Sequence, residues 1–240
     1  MRKLKSVPVL IAAAGAMSLA GAAQSQGRAG SSPDLTGVYF NAHPAKALKT
    51  VDGRPVPLTD AGRKAMAANA PKVAASKITP AGFAMDACVP FGPTRLLEQP
   101  YPLEIVQKDK SVLLIWEHNH VGERVYLDEK PDPDADPSYM GFSVGHWEGA
   151  TLVVQSSHFN AATFLDDEGL PHTADMTVVR RLRKAPGGRG LEVQATITDP
   201  AMYARPWTVK TVLPLRSDIE TEEFVCGQKT LETRYTRAAK

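Results

Sequence analysis

From Tyr101 to Leu215 the chain alternates apolar and polar residues with a period of two, and turn residues cut the alternation at short intervals. In Leu191–Thr198, the residues Leu191, Val193, Ala195 and Ile197 fall on one side of an extended chain. Glu192, Gln194, Thr196 and Thr198 fall on the other, because successive side chains of a strand point to opposite faces. Such a strand has one buried and one wet face. The same reading predicts strands at Leu35–Phe40, Leu103–Lys108, Val112–Asn119, Arg124–Asp128, Met140–Trp147, Thr151–Ser157, Asp175–Lys184, Trp207–Leu215 and Glu223–Cys226. Turns are expected at Asp109-Lys110, Val121-Gly122, Glu148-Gly149 and Pro186–Gly190. Many short strands joined by turns make a sandwich or a barrel, and closure is the complete way to remove exposed sheet edges. The predicted fold is therefore all-β and mainly antiparallel: a calycin/lipocalin-like β-barrel with one short N-terminal helix. A barrel of about eight strands is wide enough to hold one small ligand. The helix is expected over Thr59–Ala70, capped by Thr59 or Asp60 and ended by Pro71. Lys72–Pro100 reads as irregular chain, and Ala161–Asp166 as one helical turn inside the long excursion His158–Ala174.

The N-terminus supplies a second constraint. Met1-Arg2-Lys3-Leu4-Lys5 is basic, Val7–Leu19 is apolar and uncharged, and Ala20-Gly21-Ala22-Ala23 offers small residues for cleavage. That order describes a secretory signal peptide over residues 1–23, followed by a Gly/Ser/Gln-rich leader over 24–34 and one barrel domain over 35–240. The apolar run is short for a membrane span, so the expected location is periplasmic or secreted, with no membrane insertion after cleavage. In an oxidising compartment the two cysteines, Cys88 and Cys226, are expected to form a disulfide. A formal net charge of +2 gives no basic surface of the kind that nucleic acid requires. The expected partner is a small-molecule ligand or substrate. No phosphate loop, dinucleotide fingerprint, zinc quartet or haem motif is written in the chain, so no cofactor is expected.

The candidate chemistry begins with Val112–His120. As one strand it would place Trp116, His118 and His120 on one face, with Leu113, Ile115 and Glu117 on the other. A carboxylate among apolar residues needs a partner, and Arg124 is the nearest basic residue in sequence. That pair is read in two ways: as a plain ion pair, or as a pocket with Glu117 as general base and Arg124 holding an anionic group. His118 and His120 are further proton-transfer candidates. Their His-x-His spacing could also chelate a metal, with Glu123 or His146 completing the set, although two solvated histidines at a strand end account for it more simply. Tyr126, Trp147 and His172 are polar-tipped or aromatic residues placed to line a pocket, and His158 and Asp175 flank the same long excursion as His172.

Gly141-Phe142-Ser143-Val144-Gly145 matches the Gly-x-Ser-x-Gly of a hydrolase nucleophile elbow, but such an elbow needs a strand-to-helix turn and here another strand follows. The longer run Gly141–Val154, of the form Gly-x-Ser-x-Gly-x-Trp-Glu-Gly-x-Thr-Leu-Val-Val, resembles the signature of a large, poorly characterised family of secreted bacterial proteins. Leu35–Val38, Cys88-x-Pro90, Tyr101-Pro102, Glu117, Arg124–Asp128, Gly169-x-Pro171-His172, Thr196–Pro200 and Pro206-Trp207 extend the resemblance over nearly all of the chain after the leader. The chain departs from it at Ala150, where the family usually has Asp, and in the loop Glu129–Ser138. The resemblance implies relatives but no particular reaction.

These readings combine into a periplasmic, cofactor-independent lyase or isomerase. It would act by acid–base chemistry of Glu117, His118 or His120 on a small, largely apolar molecule, an aromatic one included. Arg124, Tyr126, Trp147 and His172 would orient that molecule. Two alternatives stand beside it: a non-catalytic binding protein for a hydrophobic small molecule, and a metal-dependent enzyme using His118 and His120.

Overall fold

The computed structural model describes residues 32–75 and 90–224. The expected signal peptide, most of the leader, and both Cys88 and Cys226 lie outside the described residues. Among the described residues nine strands form one sheet in sequence order: β1 (Gly37–Tyr39), β2 (Leu103–Gln107), β3 (Ser111–Trp116), β4 (Val121–Leu127), β5 (Phe142–Glu148), β6 (Thr151–Ser157), β7 (Thr177–Lys184), β8 (Gly190–Thr198) and β9 (Trp207–Pro214). The sheet curls into a barrel. Its first and last strands meet through Tyr39 opposite Leu215, with the Phe40 N–H donating to the Pro214 carbonyl at 3.0 Å and the Arg216 N–H to the Val38 carbonyl at 2.8 Å.

Every neighbouring pair is antiparallel except β4 and β5, which run parallel, with Val125, Tyr126 and Leu127 opposite Ser143, Val144 and Gly145. The exception has a geometric reason. A ring of nine strictly alternating strands would bring its ends together parallel, and one parallel step restores an antiparallel seam. The chain from Asp128 to Gly141 makes that step, crossing back along the barrel. Close approach of β5 to its neighbours depends on Gly145, where a Cβ would lie 2.7 Å from Val125 Cγ1 and 2.9 Å from the Val153 carbonyl.

The predicted alternation holds in the walls. Leu191, Val193, Ala195 and Ile197 are all buried, as are Val112, Leu114 and Trp116 on β3. Inward positions also carry polar groups: Glu123 on β4, Ser143 on β5, Ser156 on β6 and Arg180 on β7. Arg180 donates through both terminal nitrogens to the two carboxylate oxygens of Glu123, with Nη1 2.8 Å from Oε2. Ser143 donates to Glu123 Oε1 at 2.5 Å, and Arg180 Nη2 reaches Ser156 Oγ at 3.0 Å. Ser143 is thus a lining residue of a strand, consistent with the absence of a nucleophile elbow.

Helix α1 (Asp60–Ala75) is longer than expected and runs through Pro71. Its start is as anticipated, with the Gly62 N–H donating to Thr59 Oγ1 at 3.0 Å. Its later turns pack on the loop between β6 and β7, where Asn69 Nδ2 donates to the Gly169 carbonyl at 3.0 Å, so tertiary contact outweighs the break that proline favours. A second, five-residue helix, α2 (Pro93–Leu97), lies within the stretch expected to be irregular. Ala161–Asp166 forms bends rather than a helical turn, and Glu223-Phe224 is not strand. Among the described residues no helix is long and apolar enough to cross a membrane.

Candidate functional site

The expected strand Val112–Asn119 stops at Trp116, and the expected turn at Val121-Gly122 is instead the start of β4. The chain reverses over Glu117–His120, where Glu117 is α-helical (φ −59°, ψ −38°) and His118–His120 forms a 3₁₀ turn. Asn119 and His120 take left-handed conformations, with φ of 54° and 49°. Asn tolerates this region through its short polar side chain, but a histidine there is uncommon and marks a place where surroundings override local preference. His118 and His120 therefore do not share a strand face, and among the described residues no three His, Cys, Asp or Glu side chains are grouped to hold a metal.

The same reversal separates Glu117 from Arg124. In the β3–β4 register Arg124 stands opposite Leu113, at the middle of β4 and away from the turn, and its side chain is exposed. The expected Glu117–Arg124 pair is not formed. Arg124 instead lies 5.9 Å from the Tyr126 ring on the outer wall, where Tyr126 stacks on Phe142 at 5.3 Å. Trp147 is at the opposite end of the barrel from the Glu117–His120 turn, because β5 runs parallel to β4. There it lines a cavity of about 510 Å³ with Asp34, Gln107, Lys108 and Asp128.

Around the turn the structure builds a compact aromatic nest. The His118 imidazole, 5 % exposed, meets Phe91 edge-on at 4.1 Å and Tyr101 edge-on at 4.6 Å. Phe224 stacks on it at 5.1 Å with 18° between the ring planes. Arg95 from α2 sits 3.8 Å over the Phe91 ring and pairs with Asp167 at 2.6 Å. Gln99 Nε2 donates to the second oxygen of Asp167 at 3.1 Å. Burial, reinforced by the Arg95 charge, holds the His118 pKa down to about 3, so this ring is neutral through the physiological range. Its Nδ1 has no hydrogen-bond partner among the described residues, as have Thr94 Oγ1, Gln99 Oε1, Trp116 Nε1 and Asn119 Nδ2. Buried polar atoms without partners are uncommon in folded proteins, and these five fall in 94–99 and 116–119, with Arg180 Nε and Trp207 Nε1 elsewhere in the barrel.

The segment Thr221–Phe224 lies over this nest. Thr221 Oγ1 donates to Glu104 Oε2 at 2.9 Å, the Glu222 N–H to Glu117 Oε2 at 3.0 Å, and the Phe224 N–H to His120 Nε2 at 2.6 Å. Accepting at Nε2 puts the proton of the neutral His120 ring on Nδ1.

His172 lies at the same end, in the loop between β6 and β7, with its own partners. The Thr173 carbonyl can only accept, so His172 Nδ1–H donates to it at 3.1 Å and Nε2 accepts the Thr163 hydroxyl at 2.9 Å. Burial lowers the His172 pKa, against the opposing pull of the Thr173 carbonyl and Asp199. The Phe91-Gly92 segment connects the two histidines: Phe91 packs on His118, and a Cβ on Gly92 would lie 3.3 Å from Thr163 Oγ1. Of the residues that sequence reasoning grouped in one pocket, the structure places Glu117, His118, His120 and His172 at one end and Arg124, Tyr126 and Trp147 elsewhere, and the reading missed Phe91, Arg95, Tyr101, Asp167 and Phe224. Only the aromatic content of their loops could have pointed to them. No protein-family profile, curated protein or solved structure matches this chain.

Proposed function

We propose that the end of the barrel around Glu117, His118 and His120 takes a small flat aromatic molecule bearing hydroxyl or amine hydrogens. The protein moves a proton on it without a cofactor, as a lyase or isomerase does. One observation carries this reading. The site already accommodates a ring lying flat on His118 and two N–H donors, one on Glu117 Oε2 and one on His120 Nε2. A ligand with the same three features fits the same three residues.

The residues divide the work. His118, neutral down to about pH 3, is too weak a base to take a proton near neutrality and serves as the stacking platform. His120 Nε2 accepts the ligand's hydroxyl or amine hydrogen. The Glu117 carboxylate takes a proton from the bound molecule and returns it at a second position. Positioned general-base catalysis of this kind contributes roughly 10²–10⁴ in rate. A second reading is a carrier with the same site and no turnover. The low proton affinity of His118 favours it, since the most buried imidazole of the site is fit for packing rather than for proton transfer.

The two readings separate when the protein is incubated with a panel of flat phenols and aromatic amines in deuterated water, followed by mass spectrometry. Turnover shows as deuterium taken up at carbon or as a changed product. Glu117→Gln should lower it by about 10²-fold or more while keeping the melting temperature, because the Gln carbonyl still accepts from the Glu222 N–H. Binding without uptake in the unaltered protein identifies a carrier. Neither binding nor uptake across the panel sinks both.

A further inference from the structure

We infer that Thr221–Phe224 is a built-in competitor for the ligand: it fills the Glu117–His118–His120 site and has to leave before an aromatic molecule enters. This rests on the ligand class proposed above. The segment belongs to no strand, and its side chains at Glu222 and Glu223 are exposed. It holds to the barrel through hydrogen bonds to Glu104, Glu117 and His120 and through the Phe224 ring, among other contacts. Phe224 is only half-buried, whereas Phe91 and Tyr101, the fixed walls of the nest, are each 2 % exposed. Phe224 meets Tyr101 edge-on at 5.7 Å, so it sits where a ligand ring would touch both His118 and Tyr101.

Lifting the segment uncovers a stacking face and two acceptors at once. Glu117 Oε2 and His120 Nε2 lose their backbone N–H donors in the same movement that removes the ring. A ligand supplying one ring and two donors replaces the Phe224 ring and both backbone N–H donors with contacts of the same kind, and Glu104, only half-buried, exchanges the Thr221 hydroxyl for water, so no buried acceptor is left without a partner. The segment is in this sense a template for what displaces it. The cost appears in the affinity. A site open for only a fraction of the time binds more weakly by that fraction, so a segment docked nine-tenths of the time weakens binding about tenfold.

The test is a calorimetric titration of the full chain with 2,3-dihydroxynaphthalene, a flat aromatic with two hydroxyl donors. Phe224→Ala should bind it about tenfold more tightly than the unaltered protein. Thr221→Val, which removes only the hydroxyl donor to Glu104, should fall between the two and guards against a folding effect of the first variant. If the unaltered protein binds and both variants bind equally well or more weakly, Phe224 is a wall of the pocket and the competitor is overturned, while the site itself stands. If none of the three proteins binds, the ligand class proposed for the site fails, and the competitor with it.

Discussion

Arg180 and Glu123 are each almost wholly buried and face one another across the barrel interior, joined by two hydrogen bonds and flanked by Ser143 and Ser156. Removing one partner strands the other charge in an apolar interior, at a cost of about 3–5 kcal/mol, whereas replacing both with apolar residues of similar volume is often neutral. Arg180→Leu should therefore lower the unfolding free energy by about 3–5 kcal/mol in urea titration, and Glu123→Leu with Arg180→Leu should recover most of it. A double variant as unstable as the single one would show that the network shapes the fold beyond its charge pairing. The pair was half legible in the sequence. Glu123 falls in phase with Val121 and Val125, and Arg180 with Val178 and Leu182, so each is a charge written into an apolar position. Alternation assigns a face but names no partner, and these two residues are 57 positions apart. Proximity in sequence favoured Arg124 for Glu117, and the pleat turned Arg124 outward.

At the scale of elements, the short helix α2 carries a group that sets a pH dependence. Glu98 follows its last turn, and burial raises its carboxyl pKa from 4.5 to about 7. The unfolded chain ionises this group near 4.5, while the folded protein resists ionising it until about pH 7. The stability it supports is therefore complete below about pH 4.5 and is lost as pH rises through about 7. His118 acts in the opposite sense: with its pKa depressed to about 3, its share is complete above about 6.5 and is lost as pH falls toward 3. Glu98→Gln isolates the first effect, since His118 is common to both proteins. The variant should melt above the unaltered protein at pH 8 and level with it at pH 4. Equal melting temperatures at both values would place the Glu98 carboxyl in water. Neither α2 nor the tight turn at Glu117–His120 was legible. Pro93 at a helix start suits a five-residue helix that propensity alone cannot sustain, and the left-handed pair Asn119 and His120 follows from tertiary contacts that local preference does not encode.

For the whole molecule the decisive feature is the seam. The strand phases, the β5–β6 and β7–β8 hairpins and the barrel class follow from the period-two pattern and its turns. The parallel β4–β5 step does not, because a Pro/Asp-rich connection reads the same whether it turns back or crosses over. That step determines whether β1 and β9 can meet antiparallel, and so whether the site loops are gathered around one rim or splayed along an open sheet. The seam is narrow: three residues of β1, two backbone hydrogen bonds at Phe40 and Arg216, and Gly37, whose φ of 148° suits glycine and whose Cβ would lie 2.7 Å from Leu215 Cδ1. In a closed barrel the Phe40 and Arg216 amides are shielded on both sides and should exchange with deuterated water far more slowly than those of an open edge. Gly37→Val forces a branched side chain into a backbone conformation it avoids and into Leu215, so it should speed exchange at Phe40 and Arg216 by about tenfold or more and leave the central β8 amides protected. Edge-like exchange at both amides in the unaltered protein would mean that the sheet stays open between β1 and β9. Acceleration spread evenly over β8 as well would mean that the seam and the core open as one cooperative unit, with the rim held by the whole barrel rather than by its closing strands.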